Sequence, residues 1–316
     1  MSNNYRKGLL FGILGNIFVG FQPIVANARP EVLDAFIFAA MTCIVEAIIF
    51  APLILIEIKF HKSKNKKDNI IAQTESSVLR NWRKNLKILI FIGFIFGLNQ
   101  LLFFIGYRLA GAINGSLTQK TTVFFGIIFG YLILKEKVTK LQIVFSMILF
   151  LGLFIAITQF SFDLNNLNFD IILGVLVLLI ITCLWMFGHT ITKPIFNRKE
   201  VSPTQMVFIR NFLSGIMLFS TYFIFYPIEN LVLFFDPINQ FYFITMGAVY
   251  ATGLFCWYKT LSYLDVSKAT IIFSPTPIVT AIFSLIILGE IFTIFHFIGT
   301  TLVIFSIIMI VKQKES

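Results

Sequence analysis

The sequence predicts an all-helical integral membrane protein: ten transmembrane helices arranged as two inverted five-helix repeats. Three observations lead there. Of the 316 residues, 58% are hydrophobic and the mean hydropathy is +0.89, which leaves a soluble domain no surface to keep it in water. Ten apolar runs are each long enough to cross a ~30 Å hydrocarbon layer as a helix. They are continuous and not alternating, which argues against a β-barrel. The later half of the chain also echoes the earlier half.

The ten segments follow in order. Gly8–Ala28 opens the chain; it is too long for a signal peptide and lacks a small-residue cleavage site, so it is expected to stay as the first span. Ala35–Ile58 is second and carries Glu46 near its middle. The link from Lys59 to Asn85 is polar and lysine-rich, and reads as a mobile surface loop. Ile88–Tyr107 is centred on Asn99 and Gln100. Ala112–Leu134 is apolar over its second half but holds Gln119, Lys120, Thr121 and Thr122 in its first. At ~1.5 Å per residue, Lys120 lies ~12 Å below the segment's start, near mid-membrane. Leu141–Gln159 ends the first half, and Ile171–Thr192, Met206–Tyr226, Phe241–Leu261, Ala269–Leu288 and Ile291–Val311 complete the second. The other links are short, so consecutive helices are antiparallel neighbours.

Charge sets the expected orientation. With the N-terminus cytoplasmic, 21 of the 25 basic residues fall on cytoplasmic links and tails, and the other side holds only Arg29 and Arg108. This is a positive-inside pattern. It explains the net charge of +10 through anionic lipid headgroups and without a nucleic-acid partner. Both termini are then cytoplasmic, and the absence of targeting segments suits a plasma membrane. Cys43, Cys183 and Cys256 all lie in apolar segments, where packing is the expected use. Metal clusters are not expected, because His61, His189 and His296 are scattered; nor is a cofactor. Walker A, nucleophile-elbow, HExxH and CxxC motifs are absent, so the chain does not read as an enzyme.

The repeat links residues 154 positions apart: Leu134-Lys135-Glu136 with Leu288-Gly289-Glu290, Thr122 with Thr276, Thr139 with Thr293. Gly8 and Phe21 match Gly174 and Phe187 at a shift of 166, and the 12-residue difference is what the longer Lys59–Asn85 link in the first half would produce. The expected domains are therefore 1–159 and 160–316. Five spans per half is an odd number, so the second half must cross in the opposite sense, with a binding site between the halves near the midplane.

Pro277, the Leu288-Gly289-Glu290 ending thirteen positions later, Gly299, Tyr258 with Leu261, Trp185, and Arg210 with Phe212 together give the chain a resemblance to the EamA-like group of the drug/metabolite transporter superfamily. The resemblance covers essentially the whole chain. It implies two EamA repeats, alternating access and movement of small organic metabolites, often outward. Val123 stands where the group often has the first-half proline, Lys135 where it often has glycine, and Glu46 lies near the place of an early second-helix arginine. The run Gln119-Lys120-Thr121-Thr122 is similar to one in nucleotide-sugar transporters of the same superfamily.

The candidate substrate-binding residues are thus Lys120, Gln119, Asn99, Gln100, Trp185, Tyr258 and Asn16, with Lys120 meeting an anionic group. Glu46 is the candidate coupling residue, and Pro275 and Pro277 are candidate hinges. Bland alternatives stand beside these. Lys120 could pair with a buried carboxylate such as Glu46, the amides could hold helices together, and Trp185 could simply pack. Arg210 reads as a snorkelling residue, and Glu136 and Glu290 as ties for the turns that follow them. The expected partners are a small-molecule substrate and the lipid bilayer, with a homodimer left open. A membrane enzyme or lipid-binding receptor is the reading from another class.

Overall fold

The computed structural model describes residues 3–65, 82–159, 168–198, 200–264 and 266–315, and among these every regular element is helical. Residues 66–81 of the expected surface loop, and 160–167 beside the expected domain boundary, lie outside the described residues. The helices are α1 (Asn3–Ala28), α2 (Ala35–Asn65), α3 (Leu86–Ala110), α4 (Ala112–Thr118), α5 (Thr122–Leu134), α6 (Lys140–Thr158), α7 (Phe169–Asn197), α8 (Pro203–Phe225), α9 (Pro237–Tyr263), α10 (Val266–Phe273), α11 (Thr276–Ile287) and α12 (Ile294–Glu315). Ten stretches of the described chain are long and apolar enough to cross a membrane. Eight of the expected spans are single helices. The fourth is α4 and α5 joined by a 3₁₀ turn at Gln119–Thr121, and the ninth is α10 and α11.

Contacts gather the chain into two compact units, each drawing on both halves of the sequence: Met1–Pro30, Leu102–Phe187 and Thr252–Ser316; and Glu31–Leu101 with Gly188–Ala251. Lipid tails are as apolar as leucine, so spans associate by close packing and not by escape from water. In the first unit α6 lies along α12. Gly152 and Gly299 allow it: a Cβ on either would fall 2.8 or 2.4 Å from the other's carbonyl oxygen. Leu149, Leu153, Val303 and Ile307 fill the core beside them, together with Ile113 and Leu117 of α4. In the second unit α2 lies along α8, and a Cβ on Gly215 would meet Ile44 at 2.9 Å.

Helix ends repeat across the two halves. Thr139 and Gln142 form a reciprocal capping box at the start of α6. At the repeat-equivalent start of α12, His296 stands in for the glutamine: Thr293 N–H donates to His296 Nδ1 (3.1 Å), and His296 N–H to Thr293 Oγ1 (3.3 Å). An accepting Nδ1 leaves the ring proton on Nε2, which donates to Asn114 Oδ1 at 3.2 Å. The ends of α5 and α11 carry the same bond reaching back six residues, Glu136 N–H to Gly130 O (3.0 Å) and Glu290 N–H to Ser284 O (3.3 Å). The residues before them, Lys135 and Gly289, take left-handed φ of 60° and 69°.

Glu290 does more than close its own turn, contrary to expectation. Its carboxylate accepts from the N–H groups of Ala112 (2.8 Å) and Ile113 (3.1 Å), at the start of α4. The N-cap residue there is Gly111, which has no side chain to do this. An anion at a helix N-terminus also meets the positive end of the helix dipole. Glu290→Ala is expected to destabilise the protein by ~1–2 kcal/mol, and Glu290→Gln by less, as read by thermal unfolding of the detergent-solubilised chain.

Candidate functional site

The ninth span breaks because of its two prolines. Pro275 and Pro277 have no N–H, so the carbonyls of Ile271 and Phe273, four residues back, lose their helical donors. In hydrocarbon each orphaned carbonyl is costly, and broken backbone persists only where protein or a cavity satisfies it. Ile271 O is met from within the turn by Ser274 N–H (3.2 Å) and Ser274 Oγ (2.7 Å). The next two carbonyls are met from other spans. Asn16 Nδ2 of α1 donates to Ile272 O. Lys120 Nζ, carried by the fourth span, donates to Phe273 O at 2.8 Å. The Thr276 hydroxyl lies 2.5 Å from both Phe273 O and Asn16 Oδ1; it has one proton, so it serves one acceptor at a time.

Glycines on α1 bring Asn16 this close. A Cβ on Gly12 would fall 2.5 Å from Ile272 Cγ2, and one on Gly15 2.4 Å from Phe273 Cζ. Further along, Thr280 Oγ1 donates to Gly20 O at 3.0 Å. Backbones that approach so closely put a short amide side chain within reach of main-chain oxygen.

The fourth span is interrupted at the equivalent place. The repeat shift sets Lys120 against Ser274 and Thr121 against Pro275. Val123 stands where Pro277 stands in the second half, so no N–H is missing there and the helix only tightens to a 3₁₀ turn. Thr118 Oγ1 bonds back to Asn114 O (2.8 Å), and Thr121 Oγ1 to Thr118 O (2.7 Å) and to Thr182 Oγ1 (3.0 Å). Lys120 projects from the middle of this turn and is half-buried. Its ammonium has three N–H groups, and the Phe273 carbonyl uses one. The Nε2 of Gln119 is buried with no hydrogen-bond partner among the described residues.

Of the sequence candidates, Lys120, Asn16, Pro275 and Pro277 come together at this break, and Gln119 adjoins it. In the same unit the Trp185 ring lies 6.3 Å from that of Phe103. Tyr258 is half-buried on α9, while its neighbour Trp257 sets its ring edge-on to Phe273, at 5.0 Å and 89°. Sequence reasoning passed over Trp257, Ser274 and the role of Thr276. The flanking prolines were the available signal for the last two.

The other candidates belong to the second unit. Glu46 is 1% exposed, and Asn211 Nδ2 donates to its carboxylate at 2.9 Å. Arg210 does not snorkel as expected: it is buried, its guanidinium 4.4 Å from the Phe96 ring centroid, where the ring quadrupole attracts the cation. The His189 ring lies edge-on to the same phenylalanine at 5.5 Å. Asn99 is fully buried with neither side-chain polar atom bonded among the described residues, and Gln100 Nε2 is likewise unpartnered among them. Buried amides without partners mark a place where water or a ligand completes the bonding.

Ten apolar spans, with two broken at repeat-equivalent positions, define a polytopic helical membrane protein whose irregular backbone is concentrated at one polar site. The profile of the EamA-like transporter family matches residues 6–158 and again 172–312, and the chain belongs to that family. It is similar to the uncharacterized transporter YyaM of Bacillus subtilis (strain 168), with 27% identity over 244 residues, 76% of this chain and 77% of that protein. A solved crystal structure aligns over 100% of both chains, with a TM-score of 0.62 and 11% identity, a likeness of fold alone.

The double provision for Phe273 O yields a cycle. Lys120→Met is expected to destabilise the protein by ~1 kcal/mol. In a Pro277→Ala background, where residue 277 regains the N–H that Phe273 O lacks, the same change is expected to cost measurably less in thermal unfolding. An equal cost in both backgrounds would show that the lysine is not holding that carbonyl. Asn16→Ala is expected to cost a similar ~1 kcal/mol by stranding Ile272 O.

Proposed function

We propose that this membrane transporter is a secondary carrier of small organic metabolites that works by alternating access as an exporter or exchanger. The substrate carries an anionic group, and Lys120 meets it. The observation that carries the reading is the pair of interrupted spans at repeat-equivalent positions, joined through Lys120 and the Phe273 carbonyl. Broken helices near the midplane are where secondary carriers place substrate and ion sites. A neutral carbonyl brings no counter-charge to the lysine, and the other N–H groups of its ammonium can meet a carboxylate or phosphate. The odd span count of each repeat supports an inverted arrangement, and the positive-inside pattern supports a plasma-membrane protein with both termini cytoplasmic.

Glu46 is the proposed coupling group. Its buried carboxylate, held by one neutral amide, is a site at which binding a proton removes a charge from hydrocarbon. The carrier is not an enzyme on this reading, and it needs no cofactor. A nucleotide-sugar or sugar-phosphate exchanger is the narrower form, supported by Gln119-Lys120-Thr121-Thr122.

In proteoliposomes screened with amino acids, nucleosides and sugar phosphates, Lys120→Ala is expected to cut uptake of the anionic substrate at least ~10-fold, the loss of one charge-assisted contact. Lys120→Arg is expected to retain part of it. Unchanged uptake of anionic solutes by Lys120→Ala would end the charge role. Glu46→Gln is expected to keep substrate exchange across the liposome membrane while losing its response to an imposed pH gradient; a retained response would assign coupling elsewhere.

A further inference from the structure

Outside the polar site, the first unit carries a groove of about 760 Å³ between α5 and α6. Phe124 and Phe150 line one end of it, their rings edge-on at 4.9 Å. Ile128 and Met147 also line it, and so do Tyr131, near the end of α5, and Val138 of the loop that follows. The hydroxyl of Ser146, the one alcohol of an aliphatic residue on its lining, is turned back to Gln142 O of its own helix at 2.7 Å. The groove is therefore an apolar channel running ~12 Å along α5, close to the depth of one leaflet.

Through Val138 the groove reaches the loop between α5 and α6. Lys135, Lys137 and Lys140 there are exposed, and none has an ion pair among the described residues. The single acid of the loop, Glu136, is folded back over Gly130, where an added Cβ would meet its Oε2 at 2.8 Å. Tyr131 is 57% exposed at the same level, with an apolar ring and a phenol suited to the headgroup zone. The positions equivalent to the three lysines in the second repeat are Gly289, Ile291 and Ile294. One copy of this helix pair thus joins an apolar groove to three unneutralised ammonium groups, and the other copy has no such charge.

We propose that this groove is a binding site for an anionic phospholipid of the cytoplasmic leaflet, with one acyl chain between α5 and α6 and the phosphate on Lys135, Lys137 and Lys140. A basic cluster at the mouth of an interhelical groove selects lipid by headgroup charge, and the groove holds the chain by contact area. The site is independent of the transport reading; it asks that the chain span a membrane with the α5–α6 loop on the cytoplasmic side, as the positive-inside pattern has it.

The test is site-specific quenching. Met147 is 67% exposed on the groove wall, so Met147→Trp places a fluorophore there, read as the difference from the parent with Trp82, Trp185 and Trp257. In phosphatidylcholine vesicles holding the full chain, brominated phosphatidylglycerol is expected to bind about tenfold more tightly than brominated phosphatidylcholine. The preference is expected to vanish in Lys135→Gln/Lys137→Gln/Lys140→Gln and to survive in the corresponding triple arginine variant. Equal quenching by the two lipids would overturn the proposal. So would quenching by neither, which would mean that protein, such as a second copy of the chain, fills the groove. A preference kept by the glutamine variant would remove these lysines from the site. If that variant fails to fold, the comparison of the two lipids on the Met147→Trp chain still decides.

Discussion

A carbonyl with no donor in hydrocarbon is the constraint around which the first unit is arranged. Pro277 creates it at Phe273, and a lipid-facing break would be ruinous because lipid offers no hydrogen bond. The surrounding sequence answers that one deficit. Gly12 and Gly15 let α1 lie against the broken segment, Asn16 reaches Ile272 O, and Thr276 and Lys120 converge on Phe273 O. An ammonium is a costly way to satisfy a neutral oxygen when a serine or asparagine would serve. That excess is the physical reason to look for a second, anionic acceptor at Lys120.

The two repeats share their framework and differ at this point. Both halves end the broken span with a left-handed residue and a bond reaching back six residues, and both open the next helix with a threonine box. Where the halves diverge, two residues account for it: prolines at 275 and 277 open the ninth span, while threonine at 121 and valine at 123 allow the fourth only to tighten. The carboxylate ending the ninth span is spent on the N-terminus of the fourth. Duplicated scaffold with unequal breaks gives one repeat the opened backbone and the other the charge.

Much of this was legible from residues alone. The ten spans follow from run lengths, and Lys120, Asn16, Pro275 and Pro277 stand out because polar groups and prolines are rare inside such runs. The 3₁₀ turn at Gln119–Thr121 was not legible, since no proline or glycine marks it. The fate of Arg210 was missed for a similar reason: its place near a span end suits snorkelling, and only packing puts the Phe96 ring beneath the guanidinium. Trp257 escaped notice because an aromatic in an aromatic-rich chain carries no local signal.

Composition, run length and charge bias by themselves determined that the chain is a ten-span helical membrane protein with a duplicated plan, because the bilayer imposes one length and one backbone solution on every crossing segment. Tertiary structure alone decided which polar residues meet. Lys120 and Phe273, Asn16 and Ile272, and Glu46 and Asn211 are each separated by more than a hundred positions. Their pairing depends on glycine-permitted approach and helix rotation, which no short-range pattern in a uniformly apolar chain encodes.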